Sequence, residues 1–486
     1  MRKLSFAVVL SPWLVACSAS EVSLPADEVG VDGSVDGAID GGDTAVTDAP
    51  TDAPAKDPRA ALEAAGFVVG NGSFELLDLS ACCAKGSSCF GNNPTSPYAS
   101  YRLPRAPGQT IANPSERSDG TSTRWFLRPD EAVVWLGTLP PKAKYFGFTN
   151  YLFGRVDAAG KRAPVFASLD ETLNEAVIGH EGTGAPYGQV AAVIHTADSG
   201  TAAKVRAALV AAGVSNAAIN VAPIDAVSSH PGLVADADDY SVLFRVALFE
   251  DKAAGTAWLD KPPAKLFRVT PGTLGTVTPY GLPTARPKDL AAVEGAALAT
   301  ATEDLEKAVV AKYAATHTPT SFPIDEGQPD PYACIGGKGT CAGDNRDALY
   351  PKTNIPFRWL ESEDDFLVVM GVDHTVTGKA TYASASVYAV DNLVGIASVT
   401  SAEWAGSAKD YLPTHAEVGK LFAWKIARKC GGEAHCLEIP AGDCPTGMTA
   451  GQFAAIAFRV YVEPKTATAP APSTLVRERV VRFRKK

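Results

Sequence analysis

Residues 130–153, DEAVVWLGTLPPKAKYFGFTNYLF, and residues 364–389, DDFLVVMGVDHTVTGKATYASASVYA, follow one plan. Each opens on two acids, runs through an apolar stretch to a glycine (Gly137, Gly371), takes a polar turn and enters a second, alternating segment. Short apolar runs bounded by turn residues read as strands, and alternation reads as a strand with two unlike faces. Further along, 241–269 and 452–483 echo each other, with Phe244-Arg245-Val246 matched by Phe458-Arg459-Val460. The chain is therefore expected to be α+β, with two sheet-bearing units that are degenerate copies. They are placed at 124–285 and 357–486. Copies must carry their strands in the same order.

The flanking segments read as follows. GQVAAVIHTADSGTAAKVRAALVAAGVSNAAINVAPI (188–224) is a strand, a helix ending near Ala212 with Gly213 as terminator, and a strand. Residues 240–258 and 264–271 look like a hairpin-like pair. Residues 58–123 are rich in Cys, Gly, Asn, Pro and Ser after a short helix over 58–66, and read as a disulfide-stapled loop cap. Residues 286–356 read as a linker: an Ala-rich helix over Lys288–Lys312, then a Cys-containing loop. The final VRERVVRFRKK alternates Val and Phe with Arg, the pattern of an edge strand with one charged face.

The start of the chain is of another kind. Met1-Arg2-Lys3 precedes an apolar stretch from Leu4 to Ala16, too short to span a bilayer, which needs about 18 apolar residues or more. It ends Leu14-Val15-Ala16-Cys17, which resembles the lipobox of bacterial lipoprotein precursors. The resemblance implies a signal peptide over 1–16, diacylglycerol on the Cys17 thiol, cleavage after Ala16 and acylation of the new amine. Two or three acyl chains anchor stably where one does not. Ser18, where aspartate would retain the protein in the inner membrane, favours the outer membrane. Residues 18–57 hold ten acids, one lysine and no aromatic residue, so they cannot bury enough apolar surface to order themselves. Anchor and acidic tether (17–57) together resemble lipoproteins of myxobacterial type. Most of the chain's net charge of −10 sits in that tether, and the folded body is close to neutral. A neutral body lacks the basic face that nucleic acid requires. The expected location is the cell envelope, with the membrane as partner through the lipid, and an envelope protein or glycan as a second partner.

Beyond Cys17 the cysteines are Cys82, Cys83, Cys89, Cys334, Cys341, Cys430, Cys436 and Cys444. An even number in an exported chain implies disulfides. The Gly-rich ring CIGGKGTC suggests Cys334–Cys341. One of Cys82 and Cys83 is expected to take Cys89, and the other to reach one of Cys430, Cys436 and Cys444. No C-x-x-C pair argues for zinc.

Catalytic signals are weak. No HExxH, G-x-S-x-G or phosphate loop occurs, and no motif asks for a metal or cofactor. His195 ends a strand just before Asp198 and a helix start, where ligands commonly sit, although Asp198 also suits a helix cap. Asp373-His374 lies in what reads as a hairpin turn and offers an acid–base pair. The neighbouring acids Asp130-Glu131, Asp238-Asp239 and Asp364-Asp365 read as solvated strand starts. The aromatic run Tyr145, Phe146, Phe148, Tyr151 and Phe153 reads as core packing. Three functions fit: a lipid-anchored binding or structural protein of the envelope; a hydrolase of envelope or extracellular polymers with its site between the units, served by His195, Asp198, Asp373 and His374; or a small-ligand sensor.

Overall fold

The structure, a computed structural model, describes residues 57–78, 82–83, 88–327 and 329–486. The expected signal peptide, Cys17 and the expected tether through residue 56 lie outside the described residues.

The protein is α+β, with two sheet-bearing units. In the first, neighbouring strands run Arg162–Ser168, Ala143–Val156, Asp239–Phe249, Tyr98–Pro104, Phe67–Leu76, Ala264–Pro271, Ala132–Thr138, Val190–Thr196, Ile219–Pro223. In the second they run Val394–Thr400, Tyr382–Ala389, Phe453–Tyr461, Lys352–Thr353, Ile324–Asp325, and then His317–Phe322, Arg479–Lys485, Phe366–Val372, Leu421–Ala427, Cys436–Glu438. The two lists match place for place and in chain order. Along both, only the last pair is parallel.

One break separates the copies. Phe67–Leu76 pairs with Ala264–Pro271 through its first half and with Tyr98–Pro104 through its second, joining two half-sheets. Its counterpart is interrupted at Pro323, between Phe322 and Ile324. Proline brings no N–H to a ladder, so the second unit divides into separate sheets there.

Each unit is layered. Phe148, Phe244, Trp135 and Val193 pack between the half-sheets of the first, as Phe458, Ile456, Leu367 and Phe422 do in the second. Helices Pro58–Ala64 and Ser199–Ala211 cover the outer face of the first unit through Leu62, Val205 and Leu209. Helix Ala296–Tyr313 covers the second through Leu298, Leu305 and Val309. Asp57 caps the first helix, and Gly66, at φ +90°, turns the chain out of it.

Several expectations are corrected. Residues 58–123 are more than a cap, because they supply two central strands. The linker likewise supplies the matching strands and cover helix of the second unit. Composition missed both, because short strands broken by Gly and Pro carry little pattern. Asp239–Phe249 and Ala264–Pro271 form no hairpin: helix Lys252–Asp260 carries the chain from one half-sheet to the other. Phe366–Val372 and Tyr382–Ala389 lie in different sheets, so Asp373 and His374 occupy a crossover, not a hairpin turn. Arg479–Lys485 is no edge strand. It lies between His317–Phe322 and Phe366–Val372, burying Val480 and Val481 on opposite faces while Arg479 pairs with Glu306 of the helix.

Four disulfides join Cys82–Cys89, Cys83–Cys444, Cys334–Cys341 and Cys430–Cys436. Cys82–Cys89 and Cys334–Cys341 each span seven residues, in the connection between the first two strands of their unit.

Candidate functional site

The four candidates from sequence do not meet in one site. His195 is fully buried; Nε2 lies 2.9 Å from the Tyr101 hydroxyl and Nδ1 lies 2.8 Å from Oδ1 of Asn150. Asn150 donates its amide to Asp170, so its oxygen accepts from an Nδ1–H, and Nε2 accepts from Tyr101. Burial lowers the His195 pKa to about 3, so the ring is neutral. Asp198 caps helix Ser199–Ala211, accepting from Gly200 N and Thr201 N, and also from Thr278 N at 2.6 Å. Burial works against its charge, but the N–H donors of Thr278 and Thr201 prevail and hold the carboxyl below its usual range. Asp373 accepts from the Thr375 N–H and hydroxyl within its own turn. His374 is buried between Glu294 (2.8 Å) and Glu478 (3.3 Å). Burial would lower its pKa; the two carboxylates outweigh that and raise it to about 10. All four are structural anchors.

The acid pairs are also corrected. Asp238 and Asp239 are buried, one bonded to Arg155 and the other to Arg124 and Arg162. Asp130 pairs with Arg128, and Glu131 with Arg268. Only Asp364 is exposed. The two members of each of the first two pairs meet different arginines, whereas Asp365 accepts from the Lys485 N–H.

None of the four candidate residues lines the site, which lies where the hydrolase reading places one, between the units. Their outer half-sheets face each other, and Tyr145, Ala247, Tyr382 and Tyr461 pack across the junction. The contact is reciprocal. Cys89 N and Gly91 N donate to Asn392 O and Leu393 O of the second unit, both at 2.7 Å. Cys341 N and Gly343 N donate to Val165 O (2.9 Å) and Phe166 O (2.8 Å) of the first. Phe90 and Ala342, and likewise Phe166 and Leu393, all hold positive φ, so the exchange repeats down to the backbone.

Beside this junction opens a cleft of about 570 Å³. Its walls come from both units: Tyr98, Phe153, Leu243 and Arg245 from one, Tyr350, Tyr388, Ala457 and Arg459 from the other, with both disulfide loops at its border. Arg245 and Arg459 are 4% and 5% exposed. They are equivalent. Tyr98 lies opposite Arg245, Tyr350 follows the residue opposite Val460, and Tyr151 and Tyr388 lie opposite the residues four before each arginine. The Arg245 guanidinium stacks on Tyr98 and Tyr151, and that of Arg459 on Tyr350. Arg245 Nη2 donates to Gly343 O at 2.9 Å, while Arg459 Nη2 donates to Gly91 O and, at 2.9 Å, to Tyr388. Among the described residues Arg245 Nη1 has no hydrogen-bond partner.

Arg102 and Arg117 at the cleft pair with Glu75, and Arg124 with Asp239. No carboxylate within ion-pair distance of Arg245 or Arg459 occurs among the described residues. A stacked ring returns about 0.5–2 kcal/mol, whereas burying an ion costs several. The one sequence signal for this site was the repeated Phe-Arg-Val, a charge set inside an otherwise apolar strand.

Fold and site define a two-unit α+β protein with a cationic cleft on its internal two-fold relation. No family model and no curated protein matches the chain. Among solved structures, an uncharacterized protein from Burkholderia cenocepacia is similar over 88% of this chain and 86% of its own, at 14% identity and a TM-score of 0.40. A protein from Vibrio parahaemolyticus is similar over 81% of this chain and 90% of its own, at 11% identity and a TM-score of 0.37.

Proposed function

We propose that this is a lipid-anchored binding protein of the cell envelope, tethered through Cys17 to the outer membrane and offering the cleft between its units to a ligand. The observation that carries the binding role is the cleft, of a size that suits a small molecule and walled by aromatic and apolar side chains. Leu14-Val15-Ala16-Cys17 supports the anchor. The hydrolase reading rested on His195 and His374, and neither lines the cleft.

Labelled palmitate should enter the intact chain, and the Cys17→Ser form should leave the membrane fraction; unchanged fractionation refutes the anchor. Protein released gently from membranes should carry a non-covalent small molecule in native mass spectrometry. Ala457→Trp, which fills the cleft, should lose it; equal loading of that variant refutes the site.

A further inference from the structure

Resting on that reading of the cleft, we propose that its ligand is an organic oxyanion, a carboxylate or phosphate monoester on an apolar or aromatic body, with Arg245 and Arg459 supplying the counter-charge. Two buried guanidiniums from equivalent strands converge on one cavity, and among the described residues neither has an ion-pair partner. Buried charges are ordinarily paired, and arginine presents a planar fork that matches carboxylate and phosphate. The acids that line the cavity are Asp78 and Asp344. Asp344 is held by the Ser168 N–H (2.8 Å) and hydroxyl (2.7 Å); burial raises its pKa against the opposing pull of those donors and of the Arg346 and Arg245 charges, and it makes no ion pair with Arg245. Asp78 is engaged with partners of its own. Among the described residues the buried Nη1 of Arg245 has no hydrogen-bond partner, which leaves a cationic donor to be satisfied. Lys352, exposed on the second unit's wall, adds positive charge at the border. Leu243, Phe153 and Ala457 offer an apolar wall to the ligand body.

Calorimetric titration of the full chain in detergent tests this with four probes of one shape: phenylacetate, phenyl phosphate, 2-phenylethanol and phenethylamine. At least one anion should bind, and more than tenfold tighter than the neutral alcohol or the amine; which anion wins separates carboxylate from phosphate recognition. Arg245→Met and Arg459→Met should each weaken the anion at least tenfold while changing the alcohol and the amine little, and Arg245→Lys keeps part of the binding. If the arginines only brace the junction, both Met variants melt earlier and change all probes alike, which overturns the proposal. So does failure of both anions to bind at millimolar concentration. If Ala457→Trp blocks binding but alcohol and anion bind equally well to the parent, the cleft stands and the charge assignment falls. If Ala457→Trp binds the anion as the parent does, the cleft reading itself falls.

Discussion

Gly91 and Gly343 play the same part on opposite sides of the junction: each presents its carbonyl to the buried arginine of the other unit, Arg459 and Arg245 respectively. Both hold positive φ, +67° and +75°. Their surroundings differ. A Cβ on Gly91 meets nothing within 4 Å, whereas one on Gly343 lies 2.7 Å from the Phe166 ring. Gly91→Ala should therefore cost about 1–2 kcal/mol, the left-handed strain alone. Gly343→Ala should cost more, because the ring must also move. Melting temperatures of the two variants check this; equal losses would contradict it.

Glu131 and Arg268 make a second kind of tie. Two guanidinium nitrogens meet the carboxylate at 3.1 and 2.8 Å, and neither side chain is more than 1% exposed. Arg268 also donates to Pro104 O and Phe126 O, fastening the early chain to its unit. Glu131→Gln should destabilise by about 3–5 kcal/mol, since it strands a buried cation. The pair Glu131→Leu and Arg268→Met together should lose less than the sum. Urea unfolding of the single and double variants measures this.

The two buried histidines predict opposite pH dependence. Folding raises the His374 pKa from 6.5 to about 10, so its stabilisation is full below about pH 6.5 and disappears as pH rises through about 10. Folding lowers the His195 pKa from 6.5 to about 3, so its contribution is full above about pH 6.5 and is lost as pH falls toward 3. His374→Gln should flatten the alkaline limb of the stability profile. His195→Gln, which still has a donor and an acceptor for Asn150 and Tyr101, should flatten the acid limb. Unfolding free energy measured from pH 4 to 10 separates them.

Cys83–Cys444 closes a loop of 361 residues, against seven for Cys334–Cys341. Loop closure restricts the unfolded chain more as the loop grows. Removing the long-range pair by Cys83→Ala with Cys444→Ala should cost about 2–5 kcal/mol, and more than removing Cys334–Cys341. Non-reducing urea titrations of the two double variants give the comparison.

Local signals in the sequence were dependable. The apolar run to a glycine followed by an alternating segment marked both copies, and Asp198 before a small-residue run marked a helix start. The short cysteine rings were legible because a seven-residue loop has few ways to close. Boundaries were not. Residues 67–123 and 314–356 hold strands whose partners lie far along the chain, and their Gly, Pro and Cys content masked them. Two acid pairs misled for a related reason, since Arg124, Arg155, Arg162 and Arg268, which meet Asp238, Asp239 and Glu131, lie far from them in the chain.

The sequence by itself determined that there are two related α+β units and that Cys334 pairs with Cys341 across its short ring. Those properties depend on side chains within a few residues of one another. Only the tertiary structure decided strand order, the reciprocal exchange of disulfide loops and the cleft. Arg245 and Arg459, 214 positions apart in the chain, line one cavity only because two outer half-sheets pack face to face. No local pattern encodes which faces those will be.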